Sequence, residues 1–346
     1  MIFIIVKENY LPNCKLDNLS LEIIGQSHSK KIIGTLKGLK SGEKVNLDIL
    51  KTCVLRRSAG NYDNSLVTSR IEDDDFKIIS GIKDDKTTGD DLIIEFENKN
   101  FNNSEYENIS YLPRPSHSDY VSFLKYGKIM PGGGEFSGRM TAPLNALGAV
   151  CKSILENKKI KIKSDIIQVG NIKGENLTEY MIEQISKAKS RKDSIGAVVR
   201  TTISEIFPCL GSPIFGSVES KISSLIFSIP GVKGIEFGKG FDAASLYGSE
   251  YNDQFELKDG KIRTKTNNDG GINGGITNGE DIVFDVVFKP TPSIEKKQMT
   301  VNLEKMQNEE IEILGRHDPC IAVRGAVVVE TVTAIVIYDL ISGENK

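Results

Sequence analysis

Strand patterns and helix patterns alternate along this chain, and this alternation restricts the possible folds more than any other feature of the sequence. Apolar and β-branched runs predict strands at 21–24, 31–36, 78–82, 91–96, 232–237 and 281–288. Apolar residues at helical spacing predict helices at 48–55, 141–155, 177–190 and 218–228. The pattern indicates a layered fold, but it does not distinguish a doubly wound parallel sheet from antiparallel sheets packed on helices.

The chain of 346 residues is 39% apolar, which is ample for a large core. It has no repeat of fixed period and no clear linker, so we expect one domain over residues 1–346. Residues Met1–Val6 are interpreted as a buried first strand, and the apolar run Ala322–Leu340 predicts a final helix that begins near Glu330. No stretch approaches ~20 uninterrupted apolar residues, so we expect a protein that does not cross a membrane.

Charge and cysteine content exclude several classes of protein. Forty-four basic and 47 acidic residues give a net charge of −3, which is not the strongly basic balance typical of a nucleic-acid-binding protein. Any anion must therefore be bound by a local group of arginines. The five cysteines are odd in number and lack CxxC spacing, which argues against a disulfide framework or a zinc site. A reducing, cytoplasmic location and no bound metal are expected.

All three histidines lie in short polar clusters. His28 follows Gly-Gln-Ser, His117 lies between Arg114 and Asp119, and His317 lies between Arg316 and Asp318. Histidine titrates near neutral pH, so its place beside arginines and turn residues indicates proton transfer next to an anion. An enzyme is the first interpretation.

Two polar segments and two glycine clusters complete the pattern. Residues 58–75 form a polar loop whose acidic run 73–75 is interpreted as a solvated surface, and 98–110 form an asparagine-rich mobile loop. Glycines at 132–134 and 270–275 allow a backbone to approach a flat or phosphorylated ligand, although each cluster alone is more typical of tight turns. No P-loop or dinucleotide-binding motif is present.

The order of these clusters resembles the chorismate synthase family from about Leu21 to about Leu340. The resemblance rests on GQSH at 25–28, RPSHSDY at 114–120, KYG at 125–127, GGGEFSGRMTA at 132–142, DSIGAVV at 193–199, GFDAASLYGSEYND at 240–253, GGINGGITNGE at 270–280, KPTPSI at 289–294 and GRHDPC at 315–320. A single one of these motifs would mean little, but their shared order is specific.

The resemblance implies a lyase that converts 5-enolpyruvylshikimate 3-phosphate to chorismate and phosphate by 1,4-anti elimination with reduced FMN. This is the last step of the shikimate pathway, in aromatic amino acid biosynthesis. The implied fold is α+β, a single-domain β-α-β sandwich with helices packed between antiparallel sheets, assembled as a cytoplasmic homotetramer. NADPH or a separate flavin reductase would supply the reduced cofactor, and no nucleic acid or membrane partner is expected.

The family's functional positions are carried over residue by residue. His28 matches a histidine that protonates the departing phosphate, His117 one that protonates the reduced flavin, and Asp318 an aspartate near the flavin N5. Since the substrate carries two carboxylates and a phosphate, we expect arginine forks to bind it, at Arg57, Arg114, Arg139 and Arg316. The family's FMN contacts fall on Glu135, Phe136, Ser137, Gly274, Lys289, Pro290, Thr291, Pro292, Ser293 and Arg316.

Three departures from the family pattern support an alternative. Gln26 replaces a glutamate and Ser29 a glycine beside His28, Ser116 replaces a glycine beside His117, and residues 58–67 lack an arginine that the family carries. A non-catalytic homologue that binds FMN or an anion is the competing hypothesis. His317 is expected to support its loop rather than to catalyse, and Arg56 is ranked below Arg57 because alternation in an extended segment would turn only one of them inward.

Overall fold

Two five-stranded antiparallel sheets enclose a layer of helices in the part of the chain that the structure describes. This computed structural model describes residues 12–63, 65–68, 74–98, 110–313, 315 and 317–343. The strands are β1 (Asn13–Lys15), β2 (Ser20–Ile24), β3 (Lys31–Lys37), β4 (Phe76–Ser80), β5 (Ile82–Lys83), β6 (Lys86–Thr87), β7 (Leu92–Glu97), β8 (Lys161–Val169), β9 (Ile172–Lys173), β10 (Ala197–Ser204), β11 (Val232–Phe237), β12 (Phe255–Lys258), β13 (Lys261–Thr264), β14 (Ile272–Asn273), β15 (Ile276–Thr277), β16 (Ile282–Phe288), β17 (Gln298–Asn302) and β18 (Gln307–Ile311). The helices are α1 (Leu47–Arg57), α2 (Asp119–Tyr126), α3 (Thr141–Asn157), α4 (Glu179–Ser190), α5 (Val218–Ile226), α6 (Gly248–Tyr251) and α7 (Ala322–Gly343).

The first sheet has the order β1-β2-β3-β7-β4, and the second has the order β11-β16-β10-β8-β9. Every strand pair among the described residues is antiparallel. Side chains alternate across each strand, so Leu92, Ile94 and Phe96 of β7 are fully buried while their neighbours are only partly buried. This confirms the α+β sandwich and excludes the doubly wound parallel sheet.

Helices α3 and α7 form the centre of the molecule. Helix α3 contacts β3 and β7 of the first sheet and β8 of the second, and α7 packs along α3. Gly148 allows the two helices to approach closely, because a Cβ atom at this position would overlap the carbonyl oxygen of Thr331. Glu330 of α7 is 1% exposed and accepts hydrogen bonds from Arg56 at 2.8 Å and from the backbone N–H of Ser164 at 3.0 Å.

Helix α7 begins at Ala322, eight residues before the predicted start near Glu330. Valines at 327–329 and Gly325 disfavour a helix by local propensity, but nearly the whole helix is buried, and tertiary packing decides its extent. By length and mean hydropathy (1.7), α7 is the one helix among the described residues that could cross a membrane. However, 89% of that stretch is buried inside the protein, as in the core helix of a water-soluble fold.

The remaining strand and helix predictions agree with the structure to within a few residues, and α1 continues past its predicted end through Arg56 and Arg57. The predicted strand at Met1–Val6 and most of the asparagine-rich loop 98–110 lie outside the described residues.

Candidate functional site

A glycine turn, residues 131–136, lies between the loops of His28 and His117. Gly132, Gly133 and Gly134 all have φ between 53° and 83°, the left-handed region that favours glycine. A Cβ atom at Gly132 would overlap the His28 ring, and one at Gly133 would lie 3.3 Å from Cε1 of His117. The turn therefore brings the two histidines predicted to be catalytic against consecutive residues.

The His28 loop is fixed to this turn through Ser27. The Ser27 N–H donates to Gly134 O at 3.2 Å, and its hydroxyl lies 3.3 Å from both Pro131 O and Gly132 O. The same hydroxyl is 3.0 Å from Nδ1 of His28. The contact of Ser27 with Nδ1 orients the ring of His28.

His117 forms a hydrogen-bonded group with Asp119 and Arg114. Its Nδ1 lies 2.7 Å from Oδ1 of Asp119 and 3.1 Å from Nη2 of Arg114. Ionised Asp119 can only accept, and because its contact is the shorter one, we assign the ring hydrogen to Nδ1, which leaves Nε2 for proton exchange. Arg114 donates from Nε at 2.6 Å and from Nη2 at 2.8 Å to the two oxygens of the same carboxylate. Asp119 is 1% exposed, and this bidentate pair fixes both partners.

This environment sets the protonation of the group. Burial lowers the pKa of His117 below its ordinary value, and the positive charge of Arg114 lowers it further, against the opposing effect of Asp119. Burial works to raise the pKa of Asp119, but hydrogen bonds from Arg114 and His117 outweigh it and hold that pKa well below its ordinary range. At neutral pH the ligand-free protein therefore holds Asp119 ionised and His117 neutral.

Arg57 and Arg139 meet at the carboxylate of Asp74. Arg57 Nη1 donates to Oδ2 of Asp74 at 2.8 Å, and Arg139 Nη1 makes an ion pair with Oδ1. The three side chains are only 3–7% exposed. Burial opposes ionisation of Asp74, but the two arginines prevail and lower its pKa. The acidic run 73–75 was predicted to be a solvated surface, and for Asp74 that prediction is wrong because two buried arginines require a partner.

Arg56 points away from this group, toward Glu330 of α7. This placement agrees with the prediction that Arg57 rather than Arg56 is a substrate ligand. The argument from alternation in an extended segment, however, does not apply. The pair ends a helix, so successive side chains diverge by about 100° rather than alternating as in a strand.

The segment Lys289–Ser293, which contains five of the predicted FMN contacts, joins the loops of His117 and Asp318. Lys289 Nζ donates to Ser116 O at 2.6 Å, and Ser293 Oγ accepts from Arg114 Nη1 at 3.1 Å. On its other side the Thr291 hydroxyl donates to Asp318 O at 2.7 Å. The exposed Pro290 and the half-buried Pro292 limit the backbone of this connection between β16 and β17.

Asp318 is connected in turn to the arginine group. Its carboxylate accepts from the Thr68 N–H at 2.9 Å and from Arg324 Nη1 at 3.0 Å. Arg324 also donates from Nε to the carbonyl oxygen of Arg57 at 2.7 Å. A continuous polar network therefore runs from His117 through segment 289–293 and Asp318 to Arg57.

His317 lies at a cavity of about 240 Å³ that is also lined by Ser293, Asp318 and Lys189. Burial lowers the pKa of its ring to about 4, with a further contribution from the charge of Arg114. Its Nδ1 is buried and has no hydrogen-bond partner within the described residues. The described residues therefore do not fix His317 through this nitrogen, and its expected support of the loop stays a prediction.

The other predicted site residues are placed less closely. Glu135 and Phe136 end the glycine turn, where Phe136 packs on Tyr126 with ring centroids 6.4 Å apart, and the Ser137 hydroxyl accepts from the Arg139 N–H at 3.3 Å. Gly274 lies in the β14–β15 turn, which the structure connects to α5 through Val218 N–H and Gly275 O at 3.0 Å. Arg316 lies outside the described residues.

Three residues of this network were missed at the sequence level. Asp119 is two residues from His117 and five from Arg114, and that spacing was sufficient to suggest the pair. Asp74 gave no such signal, because its arginine partners are distant in sequence. Arg324 lies six residues from Asp318, but its contact with Arg57 is brought about only by the fold.

Comparison with known proteins gives a consistent result. The sequence model of the family described as chorismate synthase matches residues 19–341. The chain is similar to the chorismate synthase of Korarchaeum cryptofilum, at 40% identity over 345 residues, covering 93% of this chain and 95% of the relative. That of Pyrococcus abyssi is 40% identical over 341 residues, with 93% and 95% covered. A crystal structure of chorismate synthase has the same fold, with a TM-score of 0.70, 24% identity, and coverage of 94% of this chain and 92% of the other.

Proposed function

The chain belongs to the chorismate synthase family, which catalyses the final step of the shikimate pathway, and we propose that it converts 5-enolpyruvylshikimate 3-phosphate to chorismate and phosphate by 1,4-anti elimination with reduced FMN. The observation that carries the proposal is the meeting of His28 and His117 at one glycine turn. A protein that only bound an anion would have no need of two proton-transfer groups.

The elimination breaks one C–O bond and one C–H bond of the substrate. The electron pair of the C–H bond forms a new C=C bond, and the C=C pair between the two carbons shifts toward the carbon that loses oxygen. Phosphate leaves with the C–O pair, and the released proton must be accepted. The reaction thus needs a group that binds three anionic substituents, an acid near the phosphate, and a base near the ring. When bound, reduced FMN would supply an electron-rich ring that assists loss of phosphate without net oxidation.

Arg57 and Arg139 are the proposed ligands of the substrate's anions. Both are buried, and both donate to the one carboxylate of Asp74. A guanidinium in a site of low dielectric attracts carboxylate and phosphate strongly. Arg114 donates hydrogen bonds to Asp119 and Ser293, so its contact with substrate stays a prediction.

His28 is the proposed acid for the departing phosphate. Its Nδ1 side is occupied by Ser27, and its loop is fixed to the glycine turn. A phosphate bound near the ring would raise the pKa of His28 and so favour the protonated form that the step requires. Gln26 replaces a negatively charged glutamate of the family pattern, so this rise in pKa would have to come from the ligand.

His117 is the proposed proton donor on the cofactor side, and Asp318 the acceptor of the proton lost from the substrate ring. The low pKa of His117 in the ligand-free protein would rise when an anionic ligand binds, so protonation would follow loading of the site. The Thr68 N–H and Arg324 both donate to the carboxylate of Asp318 and so fix its position.

The residues present fit an anionic, flat cofactor. The glycine turn brings backbone close to both histidines, and segment 289–293 offers a lysine and two hydroxyls. Nδ1 of His317 is buried without a partner among the described residues. Lys289 and Ser293 would hold the phosphate of FMN. The source of reducing equivalents, whether NADPH or a flavin reductase, and the cytoplasmic homotetramer stay predictions from the family.

Substitution of His28 and His117 by asparagine tests the proposal. Each variant should bind FMN and substrate with unchanged affinity, because neither histidine is the main anion ligand, and each should lose turnover by ~10²-fold or more. Asp75→Asn, a charge change at an exposed position, serves as the matched control and should keep full turnover. Unchanged turnover in His28→Asn would refute its role as acid, and no turnover by the wild-type chain despite tight binding would favour the non-catalytic binder.

A further inference from the structure

Asp74 joins the two arginines of the site, and we propose that it is a positioning residue that sets their spacing and direction for the anionic groups of the substrate. The inference rests on the proposed function, since it assigns Arg57 and Arg139 to substrate binding. Asp74 does not touch the reacting atoms in this account. It acts through the guanidinium groups that it holds.

The three side chains come from separate parts of the fold. Arg57 ends α1, Arg139 lies in the short turn before α3, and Asp74 precedes β4. The carboxylate gives one oxygen to each arginine, Oδ2 to Arg57 and Oδ1 to Arg139. A single bridging carboxylate thus fixes the distance between two positive charges that local sequence cannot control.

Each arginine is also held at a second atom. Arg57 Nε donates to the Thr141 hydroxyl at 2.9 Å, and Arg139 Nε donates to Asn98 Oδ1 at 2.9 Å. With Nε and Nη1 both fixed, neither guanidinium can rotate without breaking a buried hydrogen bond. This preorganises the pair, so substrate binding need not order two long side chains.

Charge balance distinguishes Asp74 from the other carboxylates of the site. Arg114 has Asp119, and Arg324 has Asp318, so each of those arginines is matched by a carboxylate. Asp74 instead bridges two arginines with one carboxylate. Its negative charge offsets the repulsion between two buried like charges.

The opposite view is that Asp74 occupies the place of a substrate anion and must be displaced. Asp74 accepts a hydrogen bond from Nη1 of each arginine. A substrate carboxylate bound by one arginine in the bidentate mode would instead accept from its paired Nε and Nη atoms. Arg114 offers that paired edge to Asp119, at 2.6 and 2.8 Å. Removing the charge of a competitor would tighten substrate binding, whereas removing that of a positioning residue would weaken it.

The test compares Asp74→Asn, Asp74→Ala and Asp74→Glu with the control Asp75→Asn, in the full-length chain with FMN. We expect Asp74→Asn to raise both the KM and the Kd of 5-enolpyruvylshikimate 3-phosphate by about tenfold or more, and Asp74→Ala by more than Asp74→Asn, because small displacements of substrate-binding groups are costly. Asp74→Glu keeps the charge but moves the carboxylate, so it should raise KM while the protein stays folded. FMN affinity should be unchanged in all of them, and Asp75→Asn should match the wild type.

A purely structural role would lower the melting temperature without changing KM or Kd in the remaining folded protein. Tighter substrate binding by Asp74→Asn, or a wild-type KM and Kd in all three variants, would overturn the inference. If the wild-type chain binds substrate but shows no turnover, the proposed function fails and the Kd comparison alone decides the role of Asp74. An active wild type with unaffected variants refutes only the inference.

Discussion

The hydrogen bond between His117 and Asp119 predicts how this histidine titrates. Asp119 is buried, accepts from Nδ1 at 2.7 Å and favours the protonated ring, while burial and Arg114 oppose protonation. In Asp119→Asn the opposing effects remain and the favourable charge is lost. A hydrogen bond to a charged group contributes about 1.5–3 kcal/mol, and one pKa unit corresponds to about 1.4 kcal/mol. Dividing the first energy by the second gives roughly one to two pKa units. The pKa of His117, already below its ordinary value, should therefore fall further by about that amount.

NMR titration of the imidazole Cε1 protons measures this directly, because the chain has only three histidines and His28→Asn and His317→Asn assign the signals. The Asp75→Asn variant removes the same charge from an exposed position and should leave the His117 pKa unchanged. An unchanged or raised pKa in Asp119→Asn would refute the reasoning. Asparagine keeps an acceptor for Arg114, but loss of the buried charge should also lower the free energy of unfolding by about 3 kcal/mol, so denaturation is followed in parallel.

Three further predictions concern stability. Glu330→Gln removes the buried charge that pairs with Arg56, so urea denaturation should show a loss of about 3 kcal/mol in the free energy of unfolding, and a loss below about 1 kcal/mol would contradict this. Gly148→Ala places a methyl group against the Thr331 carbonyl and should cost about 2 kcal/mol or more, whereas helix propensity alone would predict a gain of up to about 1 kcal/mol. Since the pKa of His317 is about 4 in the folded protein and 6.5 in the unfolded chain, the unfolded chain binds more protons between these values. The contribution of neutral His317 to the free energy of unfolding is therefore complete above pH 6.5, and on the order of 3 kcal/mol of it is lost as the pH falls toward 4. Identical pH dependence of unfolding in wild type and His317→Asn would contradict the account.

Much of the fold could be predicted from the sequence because local patterns and tertiary packing agree. The strands on either side of His28 and helix α3 have clear periodicity and appear where it indicates. The predicted start of α7 was wrong because its valines favour a strand locally, while packing on α3 and on the second sheet decides the extent of the helix. The alternation of strands and helices is common to parallel doubly wound sheets and to antiparallel sheets packed on helices. The antiparallel arrangement therefore came from the family resemblance and from the structure.

The site shows the same division. The three clusters that contain histidine are visible as motifs, and the Arg114–Asp119 pair lies within one of them. Asp74 could not be found this way, because an aspartate in an acidic run resembles solvated surface, and Arg139 lies 65 residues farther along the chain. Burial of two arginines is a property of the folded protein, and the requirement for a carboxylate between them becomes visible only there.

The most direct measurement of the central claim is anaerobic turnover of 5-enolpyruvylshikimate 3-phosphate with chemically reduced FMN, following chorismate absorbance and released phosphate in the same reaction. The account predicts equal amounts of both products, with no net consumption of the reduced flavin. Tight binding of substrate and FMN without either product would contradict it.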